Sequence, residues 1–191
     1  MELILASASP RRREMLELMG YAFTVVPSMA DEHIPPCPPK DYVEALALAK
    51  ACEVAARRPD CCVVGSDTIV YLDGSILGKP ADEDDAFRIL SLLSGRTHTV
   101  YTGVAVLSQG RRTVFHDRTD VTFHPLSPEE IRAYIRTGEP MDKAGAYGIQ
   151  GPGSALVERV EGCYFTVIGM PNPRLYRALM EHGVLPGWRT S

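Results

Sequence analysis

The first twenty residues constrain this chain more than any others. Leu3-Ile4-Leu5-Ala6 is a short apolar run that reads as a buried strand, and Ser7-Ala8-Ser9-Pro10 follows it at once. Ser9 suits a helix N-cap, and Pro10 is preorganised for the first helical position. Met15, Leu16 and Met19 then carry an apolar helix face as far as Gly20, a natural stop. A strand, a tight small-residue turn and a helix start together offer free backbone N–H groups and a positive dipole end to an anion. Arg11, Arg12 and Arg13 occupy that same turn, where cations oppose the dipole. A polyphosphate would offset them; a solvated basic patch is the plainer alternative.

At 191 residues the chain can bury a sizeable core as a single domain spanning 1–191, with or without two lobes. A net charge of −4 argues against broad nucleic-acid binding but leaves room for a small anion on a local basic cluster. The five cysteines, Cys37, Cys52, Cys61, Cys62 and Cys163, are odd in number and lack zinc spacing, which suits a reduced, intracellular protein. No apolar stretch approaches membrane-spanning length and no leader pattern opens the chain, so no membrane is expected and the cytoplasm is the default location.

Periodicity and punctuation place strands at 3–6 and 23–26, a proline-rich loop at 28–39, and an alanine-rich helix at 41–58. An apolar run at 61–72 is interrupted by Gly65-Ser66-Asp67-Thr68, and Asp73-Gly74 signals a hairpin. A helix at 82–93 takes Asp82 as its cap, and two long β runs follow at 98–107 and 113–123. Ser127-Pro128-Glu129-Glu130 forms a capping box that opens a helix ending at Gly138. Beyond the glycine-rich 142–153, the stretches 155–160 and 164–168 are β-prone, and Asn172-Pro173 opens a last helix. Early alternation of strands and helices, with hairpins in the middle, predicts an α/β fold: a mixed central sheet flanked by helices.

Asp67 stands out, because an ionised carboxylate in an apolar run is costly unless paired, hydrogen-bonded or metal-bound. Its plain reading is an Asx-turn residue between two strands. A two-residue turn at Asp73-Gly74 sets Leu72 against Ser75 and, counting back, Thr68 against Lys79, which returns Lys79 towards Asp67. Lys50 shares an apolar helical stripe with Val43, Leu46, Ala47 and Val54, so it either snorkels to solvent or points into a polar cleft. Glu32 lies in the acidic, proline-rich loop and by itself reads as solvated surface. The segment Asp142-Lys143-Ala144-Gly145-Ala146-Tyr147-Gly148-Ile149-Gln150-Gly151 matches neither a P-loop nor a dinucleotide fingerprint and reads as tight turns. The five histidines show no metal spacing, and neither Ser7 nor Ser9 sits in a nucleophile elbow.

Taken together, Ser7-Ala8-Ser9-Pro10-Arg11-Arg12, Ala49-Lys50-Ala51, Gly65-Ser66-Asp67-Thr68, Gly78-Lys79-Pro80, Leu93-Ser94-Gly95 and Gly138-Glu139-Pro140 through Gly151 resemble the Maf family of nucleoside triphosphate pyrophosphatases. These elements follow family order over nearly the whole chain. Ser66 departs from the alanine common there, a change expected to be of little consequence. The resemblance implies an inosine-triphosphate-pyrophosphatase-like fold with a deep cleft between two lobes. It also implies hydrolysis of a nucleoside triphosphate to the monophosphate and pyrophosphate with a divalent metal, Mg2+ or Mn2+. By position, Asp67 resembles the proton acceptor, and Arg11, Arg12, Glu32, Lys50 and Lys79 the remaining cleft residues; since magnesium prefers oxygen ligands and keeps several waters, Glu32 and Asp67 with phosphate oxygens would suffice to hold it. Lys50 and Lys79 resemble catalytic cations, and Ser7, Arg11 and Arg12 line the substrate. Arg11, Thr68 and Gln150 resemble the set that marks the dTTP and UTP branch, whereas the sister branch acts on 7-methyl-GTP. A broad modified-nucleotide pyrophosphatase and a nucleotide-binding regulator of septum formation remain the alternatives, and a homodimer is compatible with the family.

Overall fold

The computed structural model describes residues 1–189. It contains a seven-stranded mixed sheet flanked by helices, as the alternation of elements predicts, in the order β2-β1-β3-β5-β6-β7 with β4 paired to β3. The strands are β1 (Leu3–Leu5), β2 (Thr24–Val25), β3 (Cys62–Leu72), β4 (Ser75–Leu77), β5 (Thr97–Ser108), β6 (Arg111–Phe123) and β7 (Val157–Gly162). β1 runs parallel to β2 and β3, whereas β3–β4 and β6–β7 are antiparallel. The chain divides into two compact units: residues 1–67, 102–117 and 169 onward form the first, and 68–101 with 118–168 the second.

In the first unit, helices α1 (Pro10–Leu18) and α2 (Pro39–Arg57) accompany β1 and the first half of β3. The small residues Ala6, Ala47, Ala51 and Ala105 pack with Ile4, Val54 and Val63, so helix and sheet approach closely. At two points nothing separates them. A Cβ on Gly65 would lie 2.3 Å from the Ala47 carbonyl oxygen, and one on Gly103 would lie 2.2 Å from that of Val43. β3 runs unbroken through 65–68, where the sequence suggests an interruption and an Asx turn. Tertiary partners explain the difference, since Ser66 Oγ donates to the Gly169 carbonyl at 2.9 Å and Asp67 meets Lys50. Polar side chains satisfied in this way have no need to break the strand.

The second unit gathers Val70, Ile89, Leu90, Phe123, Ile131 and Tyr147 into one core. Helix α3 (Glu83–Leu93) is capped by Asp82, which accepts from Asp85 N at 2.8 Å, and α4 (Pro128–Ile135) carries the expected capping box. Asp73 (φ 48°) and Gly74 (φ 85°) make the two-residue turn, setting Leu72 opposite Ser75 and Val70 opposite Leu77. Residues 164–168, β-prone by composition, instead form the short helix α5 (Tyr164–Ile168). β7 ends at Gly162 (φ 129°), and Thr119 Oγ1 then captures the Cys163 carbonyl, which also accepts from Thr166 N to start the helical turn. A last helix in the first unit, α6 (Asn172–Glu181), starts at Asn172-Pro173 as expected.

His98 is buried edge-on to Phe123 and Tyr147, with Nε2 2.8 Å from the Tyr147 hydroxyl. Burial pulls its pKa from 6.5 down to about 4. Between those values the unfolded chain binds a proton at this residue that the folded chain refuses, so stability falls as pH drops. We expect about 2–3 kcal/mol to be lost at this residue between pH 7 and pH 4.5 in urea denaturation, and His98→Phe to shrink the difference between the two pH values. Gly65→Ala should cost about 1–3 kcal/mol at neutral pH, since its methyl group meets helix backbone rather than a movable side chain.

Candidate active site

Lys50 lies on the stripe of α2 that buries Val43, Leu46, Ala47 and Val54. It does not snorkel away. Its Nζ donates to Asp67 Oδ1 at 2.7 Å and meets Glu32 Oε1 at 2.9 Å. The side chains of Lys50 and Asp67 are only 12% and 11% exposed, so this ammonium and carboxylate are largely withdrawn from water and each offsets the other's desolvation. Glu32 is more open, and its loop is tethered to α2: Met29 N donates to Glu53 Oε2 at 3.0 Å and Arg57 Nη2 to the Pro27 carbonyl at 3.3 Å. These anchors give an otherwise solvated acid a fixed place beside Lys50. Two carboxylates thus converge on one cation.

The opening turn is built differently from what its sequence suggests. Ser9 occupies the N-cap of α1, but its side chain makes no capping bond. Ser7, which is buried, takes the central part: its Oγ accepts from Ser9 N at 3.2 Å and from Arg12 Nη1 at 3.1 Å. Arg12 Nε also donates to the Gly169 carbonyl at 3.2 Å, the oxygen that Ser66 uses. The Ser66 hydroxyl therefore has a structural task that alanine would lack. Burial lowers the pKa of Arg12, while the charges of Asp67 and Glu32 favour its protonated form. Arg11 is half-buried in the same turn. The sequence reading missed Tyr42, whose phenol is held above its ordinary pKa by burial and then by Asp67 and Glu32. Its spacing of two helical turns before Lys50 was the available signal.

Thr68, Lys79 and Gln150 belong to the second unit. Thr68 is half-buried on β3, and Lys79 is exposed. The hairpin ladder closes at Val70 opposite Leu77, two residues short of pairing Thr68 with Lys79. The chain leaves the sheet there because the Gly78 carbonyl turns to accept from Gly145 N at 3.0 Å. Gln150 is exposed at the end of a buried stretch, 145–149, within a series of 3-10 turns. Gly148 N donates to the Tyr134 hydroxyl at 3.0 Å, and Gly153 N to Glu139 Oε2 at 2.8 Å.

Among the described residues no group of three or more His, Cys, Asp or Glu could hold a metal ion. Asp67 and Glu32 nonetheless present hard oxygen atoms to a single cation. That donor pair suits Mg2+, which keeps several waters and binds through one or two carboxylates plus phosphate oxygens. Combined with Arg12, Ser7 and Lys50, the first unit offers both cationic donors for phosphates and a carboxylate able to take a proton.

The family model of Maf-like protein matches residues 2–182. A dTTP/UTP pyrophosphatase of Moorella thermoacetica is 54% identical over 186 residues, 96% of each chain. One of Bacillus cereus is 49% identical over 184 residues, again 96% of each chain. Among solved structures, the Staphylococcus aureus Ham1 protein aligns with a TM-score of 0.48 at 14% identity, over 64% of this chain and 72% of that one.

Lys50→Met should lower the unfolding free energy by about 2 kcal/mol, since it strands Asp67 without its ammonium. Adding Asp67→Asn removes the stranded charge, so the double variant should be more stable than Lys50→Met alone in a denaturant titration.

Proposed function

Since the chain belongs to the Maf-like protein family, we propose that it is a nucleoside triphosphate pyrophosphatase that hydrolyses dTTP and UTP to the monophosphate and pyrophosphate. The observation that carries this reading is the Lys50 ammonium held between the carboxylates of Asp67 and Glu32. A nucleotide-binding regulator has little use for carboxylates beside phosphates, whereas a hydrolase needs one to accept a proton. The names of the relatives support dTTP and UTP over 7-methyl-GTP.

In the proposed reaction, Asp67 orients a water and takes its proton as the water oxygen bonds to the α-phosphorus. The bond from that phosphorus to the bridging oxygen breaks, and its electron pair leaves with pyrophosphate. Arg11, Arg12, Lys50 and Lys79 neutralise the triphosphate and the charge that gathers on the leaving group. Glu32 and Asp67 would hold a divalent ion, Mg2+ or Mn2+, which supplies Lewis-acid polarisation of the phosphate oxygens. Gln150 accepts from N3–H of uracil or thymine and donates to O4, a pattern that cytosine reverses. Arg11 and Thr68 share in substrate choice. The reading involves no nucleic acid, in keeping with a net charge of −4, and no membrane. No helix among the described residues is long and apolar enough to cross one. The cytoplasm, where nucleoside triphosphates are used, is the proposed location.

Asp67→Asn should reduce kcat by about 10²–10⁴-fold in protein that still folds, since Glu32 stays beside the Lys50 ammonium, and near-normal turnover in that variant sinks its role. Hydrolysis of UTP in 18O-labelled water should place the label in UMP; label in pyrophosphate would mean attack at the β-phosphorus. Chelation should abolish turnover and added Mg2+ restore it, with UTP and dTTP cleaved faster than CTP or ATP.

A further inference from the structure

Gln150 lies in a segment tied before it to Tyr134 and after it to Glu139, a residue that the proposed reaction does not use. Gly138 (φ 74°) turns the chain after α4, and Glu139 then reaches fourteen residues ahead, where its Oε2 accepts from Gly153 N at 2.8 Å. Its other carboxylate oxygen fills the space next to Gln150: a Cβ on Gly151 would lie only 2.0 Å from Glu139 Oε1, and one on Gly148 would lie 3.1 Å from the same atom. Gly153 is equally confined, since a Cβ there would lie 2.5 Å from the Tyr134 hydroxyl that accepts from Gly148 N. Lys143, whose side chain is 13% exposed, braces the carboxylate-bearing residue by donating to the Glu139 carbonyl at 2.8 Å and to Asp142 Oδ1 at 2.7 Å. Gly151 thus leaves room for the Glu139 carboxylate, while Gly148 and Gly153 leave room for the Lys143 stem and the Tyr134 hydroxyl, and Gln150 lies between them in sequence.

We propose that Glu139 is the positioning residue for base selection. Its carboxylate fixes the backbone of 148–153, so the Gln150 amide meets the pyrimidine ring at one height and angle. A glutamine distinguishes uracil from cytosine only in such a fixed pose, because a wandering amide matches either edge. Glu139 does not touch substrate in this account, and the inference rests on Gln150 reading the base.

The test is the ratio of kcat/KM for UTP over CTP, measured with its kcat and KM components. Glu139→Ala should lower the ratio about tenfold, chiefly through KM for UTP. Glu139→Gln, which retains an acceptor oxygen for Gly153 N, should keep most of the wild-type ratio. Glu139→Asp, short by one methylene, should show the alanine-like drop and serves if the alanine variant does not fold. In a Gln150→Ala background, Glu139→Ala should change the ratio no further. Equal losses for UTP and CTP, an unchanged ratio, or a further drop in that background would each overturn the proposal. Gln150→Ala leaving the ratio intact would overturn the base-reading role itself, and the positioning role with it, without recourse to any Glu139 variant.

Discussion

Direct contact of helix backbone with sheet backbone sets everything else in the first unit. Where α2 crosses β3 and β5, Gly65 and Gly103 leave no side chain between peptide planes. Alanines on the facing surfaces continue this close approach along the helix. At such a separation a long side chain on the buried stripe has no room to lie flat. Lys50, on the same helix, meets Asp67 and Glu32 instead. The ion contact is therefore a consequence of packing distance and contributes less to stability than to placing three charged groups.

Two styles of construction follow within one chain. Around Lys50 the groups are charged, partly shielded and close together, the conditions under which electrostatics act strongly on a polyanion. Around Gln150 the support is chiefly backbone amides bonded to Glu139 and Tyr134, with glycines removing the bulk. Each style suits the chemistry proposed for it. Phosphates are bound by charge, and a base edge is read by direction.

Much of this was legible in the sequence where a local rule applied. The Asp73-Gly74 turn, the Asp82 cap, the capping box at Ser127 and the stop at Gly138 all depend on neighbouring residues alone. The lysine on an apolar stripe was equally readable, because stripe and charge conflict within one helix. What escaped was set by distant partners. Glu32 is placed by bonds from its loop to Glu53 and Arg57 on α2, which no local pattern announces. The strand through Gly65-Ser66-Asp67-Thr68 looked broken because the partners of its polar residues lie far away in sequence. The counted register holds as far as Val70 opposite Leu77, but the ladder stops short of Thr68 and Lys79, where Gly145 N takes the Gly78 carbonyl. Residues 164–168 became a helix because the Thr119 hydroxyl captures the carbonyl before them.

The Ser7 hydroxyl illustrates how two neighbours can give a versatile group a single direction. Its oxygen already accepts from Ser9 N and Arg12 Nη1, so both lone pairs are committed. Only its proton remains to offer. A hydroxyl in that condition behaves as a one-way valve for hydrogen bonding: it welcomes an oxygen acceptor such as a phosphate and has no lone pair left for an N–H or O–H donor. Unlike a cation, it does so without adding charge and without titrating anywhere near neutral pH.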